Sequence, residues 1–307
     1  MKKRYILILS LVGLVLMTGC ENGESMETIQ TVTESSYETE ILKETEQHTE
    51  DVFQEGTQFV ENVEVETESS EEEQPDATTL ERFLKTALLP VGNTMYIWGG
   101  GWNEEDTGAG PAAVTVGVCP QWQEFASLQN ETYNYKEHRY EIMNGLDCSG
   151  YVGWAVYNLF ETESGKDGYV FKSTETAATY SGYGWGELLE NPADFKVGDI
   201  VSMKGHVWIC LGTCEDGSVV VMHASPPGVS ICGTVPEGEE TSLAMELAKS
   251  YMEKYYPKWQ EKYPDRSVRT KYVTNVSLMR WNTETFEDAE ELQEMLAEEV
   301  LKLLFEE

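Results

Sequence analysis

Cys148 is the residue whose placement suggests chemistry. It follows Asp147 and opens an apolar run over residues 148–160, in which Val152, Ala155, Val156 and Leu159 recur at helical spacing and place one face in a core. A thiol at a helix N-terminus lies at the positive end of the helix dipole, which favours S⁻ over SH. Two histidines follow in strand-like segments. In His206-Val207-Trp208-Ile209-Cys210, a period of two puts His206, Trp208 and Cys210 on one face and Val207 and Ile209 on the other. The next such segment, Val219-Val220-Val221-Met222-His223, ends in the second histidine. Adjacent antiparallel strands can bring the two side by side, one as base for the thiol and the other to orient that base. The chemistry is acyl transfer to sulfur. A thiolate attacks an amide carbonyl, an imidazolium protonates the leaving amine, and water releases the acyl group. No cofactor is needed.

The elements that must position these residues are legible around them. The chain has 307 residues, enough for one or two domains. Thr78 or Thr79 can cap a helix through Leu80, Phe83, Leu84 and Leu88 that ends at Pro90. A helix is expected around 121–128. After residue 160 the period becomes two, with strands over 199–203, 206–211, 218–223 and 229–232. A helix is expected over 241–256, a strand over 269–279, and an amphipathic acidic helix over 283–305 with Leu292, Leu296, Val300 and Leu303 on one side. Helices followed by an antiparallel sheet make residues 77–307 an α+β domain.

The N-terminal part is different. Lys2, Lys3 and Arg4 precede an apolar run, which reads as a secretory signal over residues 1–20. Its end, Met17-Thr18-Gly19-Cys20, resembles the lipobox of bacterial lipoproteins, in which the cysteine carries the lipid. That resemblance implies export and a lipid anchor at Cys20 that holds the chain at the cell surface without spanning the membrane. Residues 21–76 carry 19 acids against one basic residue, Lys43, and too little apolar surface to fold. They read as a disordered spacer extended by its own charge. A net charge of −34 argues against nucleic acid as a partner. Cys119, Cys210, Cys214 and Cys232 do not form a disulfide framework, although a bridge between two of the last three is open. The spacing His206-x3-Cys210-x3-Cys214, with His223 as a fourth ligand, is also compatible with zinc. Gly99-Gly100-Gly101 lacks the Lys-Ser/Thr of a phosphate loop.

Four motifs in order carry a family resemblance. Asp147-Cys148-Ser149-Gly150-Tyr151-Val152, then Gly198-Asp199-Ile200-Val201, His206-Val207-Trp208-Ile209, and His223-Ala224-Ser225 with Gly228-Val229-Ser230-Ile231 resemble the NlpC family of bacterial cell-wall cysteine peptidases. Tyr96-Ile97-Trp98-Gly99-Gly100 is similar to that family's aromatic–Gly-Gly element. The resemblance covers most of residues 80–235. It implies a papain-like fold, Cys148 as nucleophile, His206 as general base, His223 as the orienting third member, and Tyr96 as support for the scissile carbonyl. The backbone N–H of Cys148 is a candidate oxyanion donor. Asp147 and Ser149 match positions near the substrate's amino end, or else cap the helix. Trp98 and Trp208 join them as candidate substrate contacts. The implied substrate is a peptidoglycan stem peptide, cut between γ-D-glutamate and the following diamino acid.

This chain also departs from the family. Residues 101–146 form an insertion between Gly100 and Asp147, expected to act as a rim or lid. Trp208 stands where a small residue is usual and shares a face with His206, so it is expected to narrow the cleft. A C-terminal helical extension starts near residue 236. Two alternatives stay open: an N-acetylmuramoyl-L-alanine amidase-type Cys/His hydrolase, and an inactive surface-binding lipoprotein.

Overall fold

The structure, a computed structural model, describes residues 78–160 and 167–306. The signal, Cys20 and the acidic spacer lie outside the described residues. Within them no helix is long and apolar enough to cross a membrane.

In chain order the elements are α1 (Leu80–Leu88), β1 (Met95–Tyr96), α2 (Pro120–Leu128), β2 (Gly145–Leu146), α3 (Cys148–Tyr157), α4 (Thr176–Gly182), β3 (Gly186–Glu190), β4 (Ile200–Met203), β5 (His206–Thr213), β6 (Val219–Ser225), β7 (Gly228–Val235), α5 (Leu243–Tyr255), α6 (Pro257–Lys262), β8 (Ser267–Arg269), β9 (Ser277–Trp281) and α7 (Ala297–Glu306). Thr79 caps α1 by accepting the N–H of Arg82 at 3.1 Å. Strand order is β2-β1-β7-β6-β5-β4-β9-β3, with β8 on β7. The domain is α+β, but its sheet is mixed rather than antiparallel throughout, because β1–β2 and β7–β8 run parallel.

Both faces of the central strands are buried. Val207, Ile209, Leu211, Val220, Met222 and Ile231 face the larger core, with α1 and α3. Trp208, Cys210, Val219, Val221 and Cys232 face a smaller one, closed by Phe195, Tyr272 and Val273. Alternation therefore assigns His206 to the smaller-core side, while the helix that carries Cys148 packs on the other. A bidentate ion pair from Arg280 to the buried Asp199, at 3.0 and 2.8 Å, ties β9 to the entry of β4.

Several expected elements change. The single apolar face expected for α3 is absent, since Cys148 through Val156 are all buried. The cause is the insertion, which wraps the helix. Trp154 Nε1 donates to the carbonyl of Thr115 (3.0 Å), Asn158 Oδ1 accepts the N–H of Gly117 (2.6 Å), and Ala112, Ala113 and Trp122 are buried. The insertion is thus partly core, not simply a lid. The strand expected over 269–279 is broken by a 3-10 turn, Thr270–Val273, into β8 and β9. The terminal helix starts only at Ala297, and its buried residues are Ala297, Val300, Leu301 and Leu304, while Leu296 is exposed. Cys119, Cys148, Cys210, Cys214 and Cys232 are all free thiols, so the open bridge does not form.

The start of α3 meets the loop after β1 backbone to backbone. A Cβ on Gly150 would lie 2.1 Å from the carbonyl oxygen of Gly100, and one on Gly101, at φ +90°, 2.4 Å from Cα of Gly150. The closest atoms in both cases are backbone and cannot yield. Gly150→Ala is therefore expected to cost about 1–3 kcal/mol and to lower the thermal midpoint of the full chain. An unchanged midpoint in a calorimetric scan would refute this packing.

Candidate active site

Asp147 is the N-cap of α3. Its Oδ1 accepts the N–H of Gly150 at 2.7 Å, and the N–H groups of Ser149 and Gly99 also stabilise the carboxylate. The cap places Cys148 at the first helical position. There its Sγ lies 3.9 Å from Ser149 Oγ, and the nearby N–H of Val207, the residue after His206, favours its thiolate form. Helix α3 and strand β5 therefore converge on the thiol. Among the described residues the N–H of Cys148 itself has no partner.

The two histidines meet across the β5–β6 pairing. His206 Nε2 lies 3.0 Å from His223 Nδ1. Among the described residues no hydrogen bond joins either imidazole to Sγ, and the bond to His223 leaves Nδ1 as the ring nitrogen of His206 for a thiol. For Nδ1 to accept a proton, Nε2 must carry one and donate it to Nδ1 of His223. Tyr272 stands edge-on to both rings, at 5.1 Å from His206 and 5.7 Å from His223. The sequence pattern does not single it out, because it sits in a 3-10 turn within a stretch whose pattern predicts strand.

Burial dominates the electrostatics. It pushes the Cys148 thiol up to about 12, helped by the carboxylate of Asp147 and opposed by the Val207 N–H and Ser149. It pulls His206 down to about 3, with Lys271 adding to the effect, and holds His223 well below the usual histidine range, with His206 and Arg266 adding. Burial also raises Asp147 to about 7 against its three N–H donors. The thiolate favoured by helix position alone is thus outweighed, and the resting pair is a neutral thiol and a neutral imidazole.

The remaining residues fall into two groups. Tyr96 is buried, packs edge-on against Tyr135 at 5.5 Å, and has its carbonyl held by the hydroxyl of Tyr133 at 2.6 Å. Burial raises its phenol, with Cys148 and Asp147 adding, so it stays protonated beside the thiol. Trp98 is 42% exposed, with the guanidinium of Arg139 4.8 Å over its ring. Tyr133, Tyr135 and Arg139 all come from the insertion, so its second half forms the rim of the site. Trp208 differs from expectation. It is wholly buried, stacked on Phe195 at 5.9 Å, and fills the core beneath the histidines instead of narrowing a cleft. Among the described residues no group of three or more His, Cys, Asp or Glu is arranged to hold a metal ion.

Comparison with protein-family models, with the curated proteins and with the solved structures finds no match to this chain.

The depressed histidines have a consequence for stability. Between pH 6.5 and about 3 the unfolded chain binds protons that folded His206 refuses, so this contribution is full above pH 6.5 and is lost as pH falls through it. Asp147 acts oppositely. Its folded form holds a proton up to about pH 7, so its contribution is lost as pH rises through that value. His206→Asn is expected to lose less stability than the parent between pH 7 and 4. Thermal midpoints of both proteins across that range test this, and parallel curves would show that the imidazole is not held neutral.

Proposed function

We propose that this chain is an exported, lipid-anchored cell-wall hydrolase of the NlpC type, a cysteine endopeptidase that cleaves peptidoglycan stem peptides. The proposed bond joins γ-D-glutamate to the following diamino acid. The observation that carries the reading is the convergence of three groups. Cys148 stands at a capped helix start, the Val207 N–H is near enough to favour its thiolate, and the His206–His223 bond, read as base and orienter, begins one residue away. The four motifs of the resemblance support the substrate class, and the signal with Cys20 supports a location beside it.

The mechanism starts from neutral groups. As Sγ attacks the scissile carbonyl, Nδ1 of His206 takes the thiol proton, so proton transfer accompanies attack instead of preceding it. His223 accepts from Nε2 and stabilises the imidazolium that forms. The carbonyl oxygen gains negative charge opposite the unpartnered N–H of Cys148 and the positive end of α3. Collapse breaks the C–N bond, and the imidazolium gives its proton to the leaving amine. Water, deprotonated by the same Nδ1, then cleaves the thioester and restores the thiol. Tyr96, protonated and beside the sulfur, is a donor for the scissile carbonyl.

Mass spectrometry of defined muropeptides incubated with the full chain tests the reading. The expected product carries a new amino terminus on the diamino acid. A free amino terminus on L-alanine would assign the amidase-type reaction, and no product would favour a binding module. Cys148→Ala is expected to abolish turnover, and His206→Ala to do nearly the same. His223→Ala should cost less than the roughly 10²–10⁴-fold of general-base catalysis, with His223→Asn, which keeps an acceptor, costing less again. Full activity in Cys148→Ala would sink the assignment.

A further inference from the structure

A cavity of about 580 Å³ opens beside the histidine pair and is lined by His223, Tyr272 and Tyr133. Its walls therefore include the orienting histidine, the aromatic shared by both imidazoles, and the residue that holds the Tyr96 carbonyl. Much of the remaining wall comes from the C-terminal extension, which lies outside the family resemblance. It supplies Lys262, Arg266, Arg269 and Lys271, four of the chain's 21 basic residues, against Glu131 and Asp265. In a chain of net charge −34 this is a local reversal of sign.

Arg266 is 2% exposed, and only its Nη2 has a hydrogen-bond partner, the carbonyl of Tyr263; Nε and Nη1 are buried without one. Among the described residues neither Arg266, Arg269 nor Lys271 belongs to an ion pair. A buried guanidinium without an ion-pair partner is costly, and although Asp265 acts on it electrostatically, an anion brought into the cavity relieves more of that cost. We infer that this cavity is a carboxylate subsite, which binds a free carboxylate of the peptide held at Cys148 and discriminates against the amidated form. For its ligand this inference rests on the proposed function. Arg266 supplies the charge-assisted hydrogen bonds, and Arg269 and Lys271 attract the anion at the exposed mouth. Replacing the carboxylate by an amide leaves the guanidinium uncompensated, which is how a polar site rejects a near-isostere.

Calorimetric titration of the full chain carrying Cys148→Ala tests the subsite, with two stem peptides that differ only in free or amidated carboxylates. The free form is expected to bind about tenfold or more tightly, the scale of one charge-assisted hydrogen bond. Adding Arg266→Gln should remove the preference, while Arg266→Lys should keep part of it. Should the Arg266 variants fail to fold, Arg269→Gln with Lys271→Gln, both exposed, should narrow the preference. Equal affinity for the two peptides, or a preference untouched in these variants, overturns the subsite. Inorganic phosphate binding more tightly than glutarate overturns the carboxylate assignment. Wild-type protein that cleaves neither peptide, while Cys148→Ala keeps the preference, defeats the proposed reaction and leaves the subsite standing. Cleavage of both with equal kcat/KM does the reverse.

Discussion

The start of α3 lies against the loop after β1 with no side chain between them, and the site depends on that contact. Gly100 and Gly101 meet Gly150 at distances that leave no room for a Cβ. The close approach brings the Gly99 N–H to the carboxylate of Asp147, and that carboxylate caps the helix. The cap in turn sets Cys148 at the first helical position, where β5 presents the N–H of Val207 to its sulfur. One side chain at this seam would move the thiol relative to the strand that carries His206.

The same tight packing sets the charge state. Close-packed walls exclude water from thiol and imidazoles, and desolvation outweighs the helix dipole and the local hydrogen-bond donors. A neutral resting pair is stable and unreactive. In the proposed reaction, charge separation would become favourable only when a substrate carbonyl arrives to share it, which would couple proton transfer to attack. Tyr272 contributes here by packing edge-on against both rings.

Two parts of the chain that surround the motifs, and one residue within them, build the site's boundaries. The insertion over 101–146 buries Ala112, Ala113 and Trp122 around α3, then supplies Tyr133, Tyr135 and Arg139 to the rim. The extension supplies Tyr272 and the cationic wall with Arg266. Trp208, which looked like a cleft residue, supports the histidines from below. Its size matches the small core that Phe195 and Tyr272 close.

Local signals were enough for the α+β class, a threonine cap at 78 or 79, strands β4 to β7 and the pairing of His206 with His223. Each rests on a short period or on neighbours in sequence, which the chain carries in its order of residues. The break of 269–279 into β8, a turn and β9 was not legible, because it follows from where β7 and β4 offer free edges. Nor was the full burial of α3, which follows from an insertion folding back over it. The sequence by itself determined where the thiol and the histidines stand in the chain and which strands carry the two imidazoles. Only the tertiary structure decided that the thiol and imidazoles rest neutral, that Trp208 is core, that Tyr272 packs on both imidazoles, and that Arg266 lines the cavity beside them. Desolvation and proximity between distant segments are properties of the packed chain, and no local pattern of residues encodes them.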